Sequence, residues 1–301
     1  MKRLICCALV ACFCFVTPGV FAKTTCTAPV AKNVSVGAFS ELEVKNPLNV
    51  TIMTGLVTAS TPSFQILGRD SSSVSAVTWT LHNHRLSLAT KWNYWPRQSD
   101  RLTVRINVLP SQLNQIRFIS NGCLVGNGLT GPLTLITKGS GCVKLYTNQL
   151  NLKSLIVQGK SNITVRHIKS TSLVVEGSND GEIKLDGVVA LQSIRLTGNG
   201  SLRIHWVDTP YLKINAAGTE KIFLAGLARS VDAQLTTGAQ LCAKQLQIRN
   251  GFIATRTQAR AEVTVRDRLD ALAEDKSVIY YFPGVAFVNT YTRSEGIVLP
   301  Y

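Results

Sequence analysis

Charge is scarce in this 301-residue chain, and negative charge is scarcer: 16% of residues are charged, with 17 acidic against 32 basic. The resulting +15 favours anionic partners, although net charge bears on association and solubility and not on fold. No heptad pattern of Ala, Glu, Lys, Leu and Arg runs through the sequence, which excludes a coiled coil. A hydrophobic content of 45% is too high for a disordered chain, and ten prolines are too few for a collagen-like one. Beyond the N-terminal region no stretch of about 18 apolar residues occurs, so no membrane-spanning helix is expected. A P-loop, an H-E-x-x-H helix and a Ser-His-Asp order are missing. No C-x-x-C follows residue 22, and His82, His84, His167 and His205 are scattered. Neither a metal site nor a cofactor is expected.

What is present begins with a secretory signal over residues 1–22. Lys2 and Arg3 form its charged start, an apolar run extends from Leu4 to Val16, and Val20-Phe21-Ala22 places small residues at a cleavage site. Leu9-Val10-Ala11-Cys12 offers a rival, lipidation of Cys12. Both routes export the chain, to the periplasm, the outer surface or the medium. Cys26, Cys123, Cys142 and Cys242 remain after cleavage at Ala22, and an oxidising compartment permits disulfides among them.

The strongest pattern is internal repetition. From residue 113 a short alternating motif recurs at Leu124, Val143-Lys-Leu145, Ile163-Thr-Val165, Ile183-Lys-Leu185, Leu202-Arg-Ile204, Ile222-Phe-Leu224, Leu241-Cys-Ala243 and Val263-Thr-Val265. Successive motifs start 19, 20, 20, 19, 20, 19 and 22 residues apart. Period-two alternation with β-branched residues specifies strands with one buried face. A second strand precedes each motif, as in Leu155-Ile-Val157, Leu173-Val-Val175 and Ile194-Arg-Leu196, and Gly- or Asn-containing corners join the two. Further apolar positions at Leu150, Ile168, Val189, Leu227 and Leu246 supply a third wall. Twenty residues are too few for a helix pair or a propeller blade, and they suit one coil of an all-β, right-handed parallel β-solenoid. About eight such coils occupy residues 113–301. Residues 36–112 keep the alternation without the rhythm and read as an N-terminal β-rich cap layer that blocks the open end. Residues 23–35 read as a flexible lead-in.

The order Phe39…Leu42-Glu-Val44…Val50-Thr-Ile52…Gly55, then His84-Arg-Leu-Ser-Leu88, Leu102-Thr-Val104-Arg-Ile106, the Gly-rich coils, and the closing Ile279-Tyr-Tyr-Phe-Pro-Gly-Val285 resembles the bacterial DUF2807 family. That family is also called the autotransporter adhesin head GIN domain. The resemblance spans roughly residues 36–299 and implies an exported β-helical protein of undefined ligand, with no catalytic residues to carry over. A translocator barrel after the repeats is not expected.

Side chains alternating with the inward apolar residues should form outward columns. One reads Lys144, Thr164, Lys184, Arg203, Phe223, Cys242, Thr264, and beside it Tyr146, Arg166, Asp186, His205, Ala225, Lys244, Arg266. This basic face could track an anionic glycan, lipopolysaccharide or another envelope polyanion; the competing reading is a solvated polar face. Nucleic acid is not expected, because stacking aromatics are sparse there. Trp92, Tyr94, Trp95, Arg97 and Arg101 form the one aromatic cluster, either a sugar- or partner-binding loop or a hairpin tip folded on the cap. Cys123 and Cys142 fall in one column of adjacent coils, within reach of a disulfide, or else stand as stacked free thiols. Asp180, Glu182 and Asp186 are the densest acidic group but lack a second carboxylate row. The reading is an exported, non-enzymatic, adhesin-like or envelope-associated binding protein. A polysaccharide-active β-helix enzyme and a purely structural envelope protein are the alternatives, and a protein partner and the oligomeric state stay open.

Overall fold

Each twenty-residue unit carries one apolar row and two unpaired backbone edges, and both needs are met only by laying the next unit on top. The structure, a computed structural model, describes residues 29–55, 62–91 and 102–301. The signal and the cluster Trp92, Tyr94, Trp95, Arg97 and Arg101 lie outside them. The chain forms a parallel β-solenoid of about 10 turns. No helix among the described residues is long and apolar enough to cross a membrane.

The strands run β1 (Val30–Ser35), β2 (Glu41–Lys45), β3 (Asn49–Thr54), β4 (Ser63–Gly68), the short helix α1 (Ser71–Ala76), β5 (Val77–His82), β6 (Arg85–Thr90), β7 (Thr103–Val108), β8 (Gln115–Ile119), β9 (Cys123–Asn127) and β10 (Pro132–Gly139). Long strands bent around the corners follow: β11 (Cys142–Gly159), β12 (Asn162–Asn179), β13 (Glu182–Gly198), β14 (Ser201–Gly218), β15 (Lys221–Leu235), β16 (Gln240–Thr255) and β17 (Arg260–Glu274). The short β18 (Val278–Tyr281), β19 (Phe287–Arg293) and β20 (Ile297–Pro300) close the chain.

The register stacks like on like. Leu124, Val143, Ile163, Ile183, Leu202, Ile222, Leu241, Ala261 and Ile279 lie over one another, rung by rung. A second column runs Leu135, Leu155, Val175, Ile194, Ile214, Ala233, Ile253, Ala271. These residues are buried and make one continuous apolar lumen. Two details differ from the sequence pattern. Ala261, not Val263, continues the first column; an alanine flanked by Arg260 and Glu262 carries little hydrophobic signal, so the sequence pattern passes over it. On the third wall Gly226, not Leu227, takes the place over Val207, and Leu227 faces outward, 46% exposed.

Corners need backbone that bends sharply without a side chain. Gly177 has φ +134°, and a Cβ there would collide with the Val157 carbonyl of the rung below. Buried polar side chains line the same corners and tie rung to rung. The Ser161 hydroxyl donates to the Gly139 carbonyl at 3.1 Å, and the Thr255 and Ser277 hydroxyls meet at 2.8 Å. Glu220, fully buried, reaches past Gly200: it accepts from Asn179 Nδ2 at 3.0 Å and from the Gly200 N–H at 3.2 Å.

The N-terminal region is more than a covering layer. Strands β2 and β3 form a parallel rung that sits between β6–β7 on one side and β8–β9 on the other, so the rung order departs from chain order. Beyond it, β5 runs antiparallel to β6, and β4 antiparallel to β7. The β5–β6 hairpin turns at Asn83 and His84, both at positive φ, as a two-residue turn matched to strand twist requires. The lead-in is corrected in part: Val30–Ser35 is a strand, antiparallel to β4. Its side chains are almost all exposed, so backbone pairing alone defines it and no apolar alternation announces it.

Two outcomes follow. Cys123 and Cys142 stand opposite each other on β9 and β11, and their sulfurs are joined at 2.10 Å with Cα atoms 4.5 Å apart. Peptide mapping of oxidised protein should yield this cross-linked pair, and the C123A/C142A variant should lose about 3 kcal/mol, the closure entropy of a loop of this length. Glu220 is the second. Burial outweighs the two hydrogen bonds that its carboxylate accepts and, with the Asp180 charge nearby, pushes its pKa up to about 7. The folded state therefore holds the Glu220 proton more tightly than the unfolded one, so this group's contribution to stability is largest in acid and falls as pH rises from about 4.5 to 7. Between pH 5 and 8 this group should remove about 2 to 3 kcal/mol. Denaturant midpoints across that range should flatten in Glu220→Gln.

Candidate functional site

Outward residues of the first motif face form the surface at which the sequence placed binding. Lys144, Thr164, Lys184, Arg203, Phe223 and Cys242 do share one column, but the column continues to Glu262, not Thr264. Most of its cations are engaged. Lys184 pairs with Glu182 at 2.8 Å, Arg203 lies over the Phe223 ring at 4.4 Å, and Arg166 lies over Tyr146 at 5.6 Å. Lys144 makes no ion pair with any described residue.

At Lys244 the ladder slips, because the register shifts between Phe223 and Ala225. Lys244 turns to Glu262 at 3.0 Å and to Tyr301, whose ring lies 4.3 Å away and whose hydroxyl lies at 3.2 Å. Hydrogen bonds to Glu262 and Tyr301 raise the Lys244 pKa. Burial pushes Glu262 up, but Lys244 and Arg260 together hold it below its ordinary value. Arg203, His205, Phe223 and Lys244 border a depression of about 240 Å³ here. The free Cys242 also lines it.

Arg266 does not belong to that face. Val265 stands over Ile248, which brings Arg266 beside Arg249 around the next corner. There, Arg229, Arg249 and Arg266 edge a groove of about 690 Å³ that crosses four rungs from Asp208 to Thr264 and ends at Pro283–Gly284. Its opposite edge is the column Asp208, Leu227, Gln247, Thr264. Between the edges runs a buried row, Thr209, Ala228, Ile248 and Val265. The arginines are weakly held: Arg249 and Arg266 share Asp267 at 3.7 and 3.8 Å with 61% and 82% of their side chains exposed, and Arg229 has no ion pair among the described residues. Just outside the groove, Trp206 is 51% exposed.

The acidic candidates are dispersed. Asp180 accepts from the backbone and side-chain nitrogens of Asn199 at 3.1 and 3.2 Å, Glu182 holds Lys184, and Asp186 lies 4.0 Å from His205. No group of three or more His, Cys, Asp or Glu suited to a metal occurs among the described residues. Arg229, Arg249, Asp208 and Trp206 escaped the sequence reading. A signal for two of them, Arg229 and Arg249, was present in the triplets Leu227-Ala-Arg229, Gln247-Ile-Arg249 and Thr264-Val-Arg266, each an outward residue, a buried apolar one and an arginine.

Among solved structures, the chain is similar to one described as a putative adhesin from Parabacteroides distasonis, at 14% identity and a TM-score of 0.50, covering 91% of this chain and 97% of that one. A structure described as a putative adhesin from Parabacteroides merdae matches at 16% identity and a TM-score of 0.48, over 91% and 96%. Another from Parabacteroides distasonis, described as a putative lipid binding protein, matches at 9% identity and 0.46, over 91% and 97%. The first of these likenesses concerns fold alone. No curated protein is a significant sequence match. The family model described as "Putative auto-transporter adhesin, head GIN domain" matches residues 38–222 and 193–283, and the chain belongs to that family, DUF2807.

Proposed function

We propose that the protein is an exported, non-enzymatic, adhesin-like binding protein of the cell envelope that engages an anionic glycan or a similar polyanion along the side of its rod. The observation that carries this reading is the recurrence of outward cations on successive rungs, which sets positive charge at a spacing of about 4.8 Å along a rigid axis. A rigid array of this kind suits an extended polyanion, whose charges repeat along its length. Membership of an adhesin head family supports the location and the binding role. The dispersal of Asp180, Glu182 and Asp186 among separate partners supports a role without catalysis, since general acid–base work on glycosides needs two carboxylates converging on one bond.

A second reading, a structural envelope component, is favoured by one observation: Arg166, Lys184, Arg203 and Lys244 all have partners within the chain. The two diverge on a direct measurement. Purified protein should bind immobilised heparin, lipopolysaccharide and polygalacturonate with an affinity that falls as salt is raised. Absence of salt-sensitive binding to all three would decide for the structural role.

A further inference from the structure

We infer that the groove edged by Arg229, Arg249 and Arg266 is a binding site for a linear acidic oligosaccharide lying along the rod axis, with its carboxylates on the arginines and its sugar rings against the outward Leu227. The inference rests on the polyanion reading above and assigns it to one place. Four features of the groove carry it.

The arginines come from three consecutive rungs, β15, β16 and β17: the ladder sets Arg229 in step with Arg249, and Arg266 follows Val265, which stands over Ile248, at the bulge before Asn250. A ligand that meets all three must be extended and must repeat its negative charge, as a polyuronate does. Guanidinium forks match planar carboxylates bidentately. Here they are poised and not consumed, because Asp267, the acid that Arg249 and Arg266 share, stands at 3.7 and 3.8 Å and is itself half exposed. This contrasts with the motif face, where the cations at Lys184 and Lys244 are held at 2.8 and 3.0 Å.

The other edge supplies groups for hydroxyls: the Asp208 carboxylate, the Gln247 amide and the Thr264 hydroxyl all line the groove. Thr264 donates to the Lys244 carbonyl at 2.7 Å, which leaves its oxygen free to accept. Leu227 faces outward between them, and Trp206 stands exposed on the same rung as Asp208, two residues before it. Apolar and aromatic surface of this kind packs against sugar rings. At about 690 Å³ the groove has the size of a small-molecule site. A membrane headgroup would use the arginines but not a channel that extends over four rungs with hydroxyl-directed groups opposite.

The test uses an oligogalacturonate of defined length, a neutral maltooligosaccharide of equal length and phosphatidylglycerol vesicles, titrated into the full-length protein. Variants are Arg229→Gln/Arg249→Gln in the groove and Lys144→Gln/Lys184→Gln on the motif face, with unfolding temperature as a fold control. The groove variant should lose at least ~10-fold in affinity for the uronate oligomer, the cost of one charge-assisted contact or more. The motif-face variant should change less than ~2-fold and the neutral oligomer should not bind, as only a carboxylate engages the guanidinium fork. Unchanged uronate binding in the groove variant, or equal loss in both variants, overturns the site while polyanion binding stands. Binding of vesicles without the oligomer overturns it in favour of a lipid headgroup. Failure of wild type to bind any anionic probe removes the broader reading and the site together.

Discussion

Backbone pairing between rungs is the interaction on which everything else depends. Once the N–H and C=O groups of one coil find those of the next, each inward side chain is set above its counterpart, and a column of Leu, Ile and Val forms without any long-range search for partners. Outward side chains inherit the same order. The contacts of Arg166 with Tyr146 and of Arg203 with Phe223 are products of register, as is the ladder of arginines at the corner. Function in such a protein is a property of columns, and a residue acquires meaning from what lies about twenty positions away.

That dependence also explains which parts of the molecule were readable beforehand. The strand alternation of Val143-Lys-Leu145 and its successors is large in hydrophobic contrast, so the lumen and the rung period could be taken from the sequence. Where contrast is low the reading drifted. Ala261 is a small residue between two charges, and skipping it displaced Thr264 and Arg266 by two positions, which put Arg266 on the wrong face. Leu227 looked like core because it is apolar, yet the sharp bend at Gly226, φ +125°, turns the next side chain outward. The three Arg triplets were visible as a pattern but could be joined into one site only after the bulges between Ala243 and Gln247 and between Ile248 and Asn250 were known.

Charge is distributed according to the same logic. On the motif face, aromatic rings and carboxylates from the same or neighbouring rungs engage most of the cations, and exposed pairs of this kind contribute little to stability. Around the corner the cations project further and meet less. A rod with an excess of +15 thus has both a quiet positive face and a poised one, distinguished by what the adjacent rungs happen to offer.

The insertion of β2–β3 between two rungs that come later in the chain has a kinetic consequence. From β10 onward, every coil can add to its immediate predecessor, closing loops of about twenty residues at modest entropic cost. The inserted rung has no such route: Glu41 meets Arg85 across 44 positions and Leu48 meets Ser120 across 72. Distant contacts of this kind slow a folding chain. The repetitive stem can therefore zip quickly once seeded, and the N-terminal end is where the seed is slow to form, a keystone that must wait for the arch on both its sides.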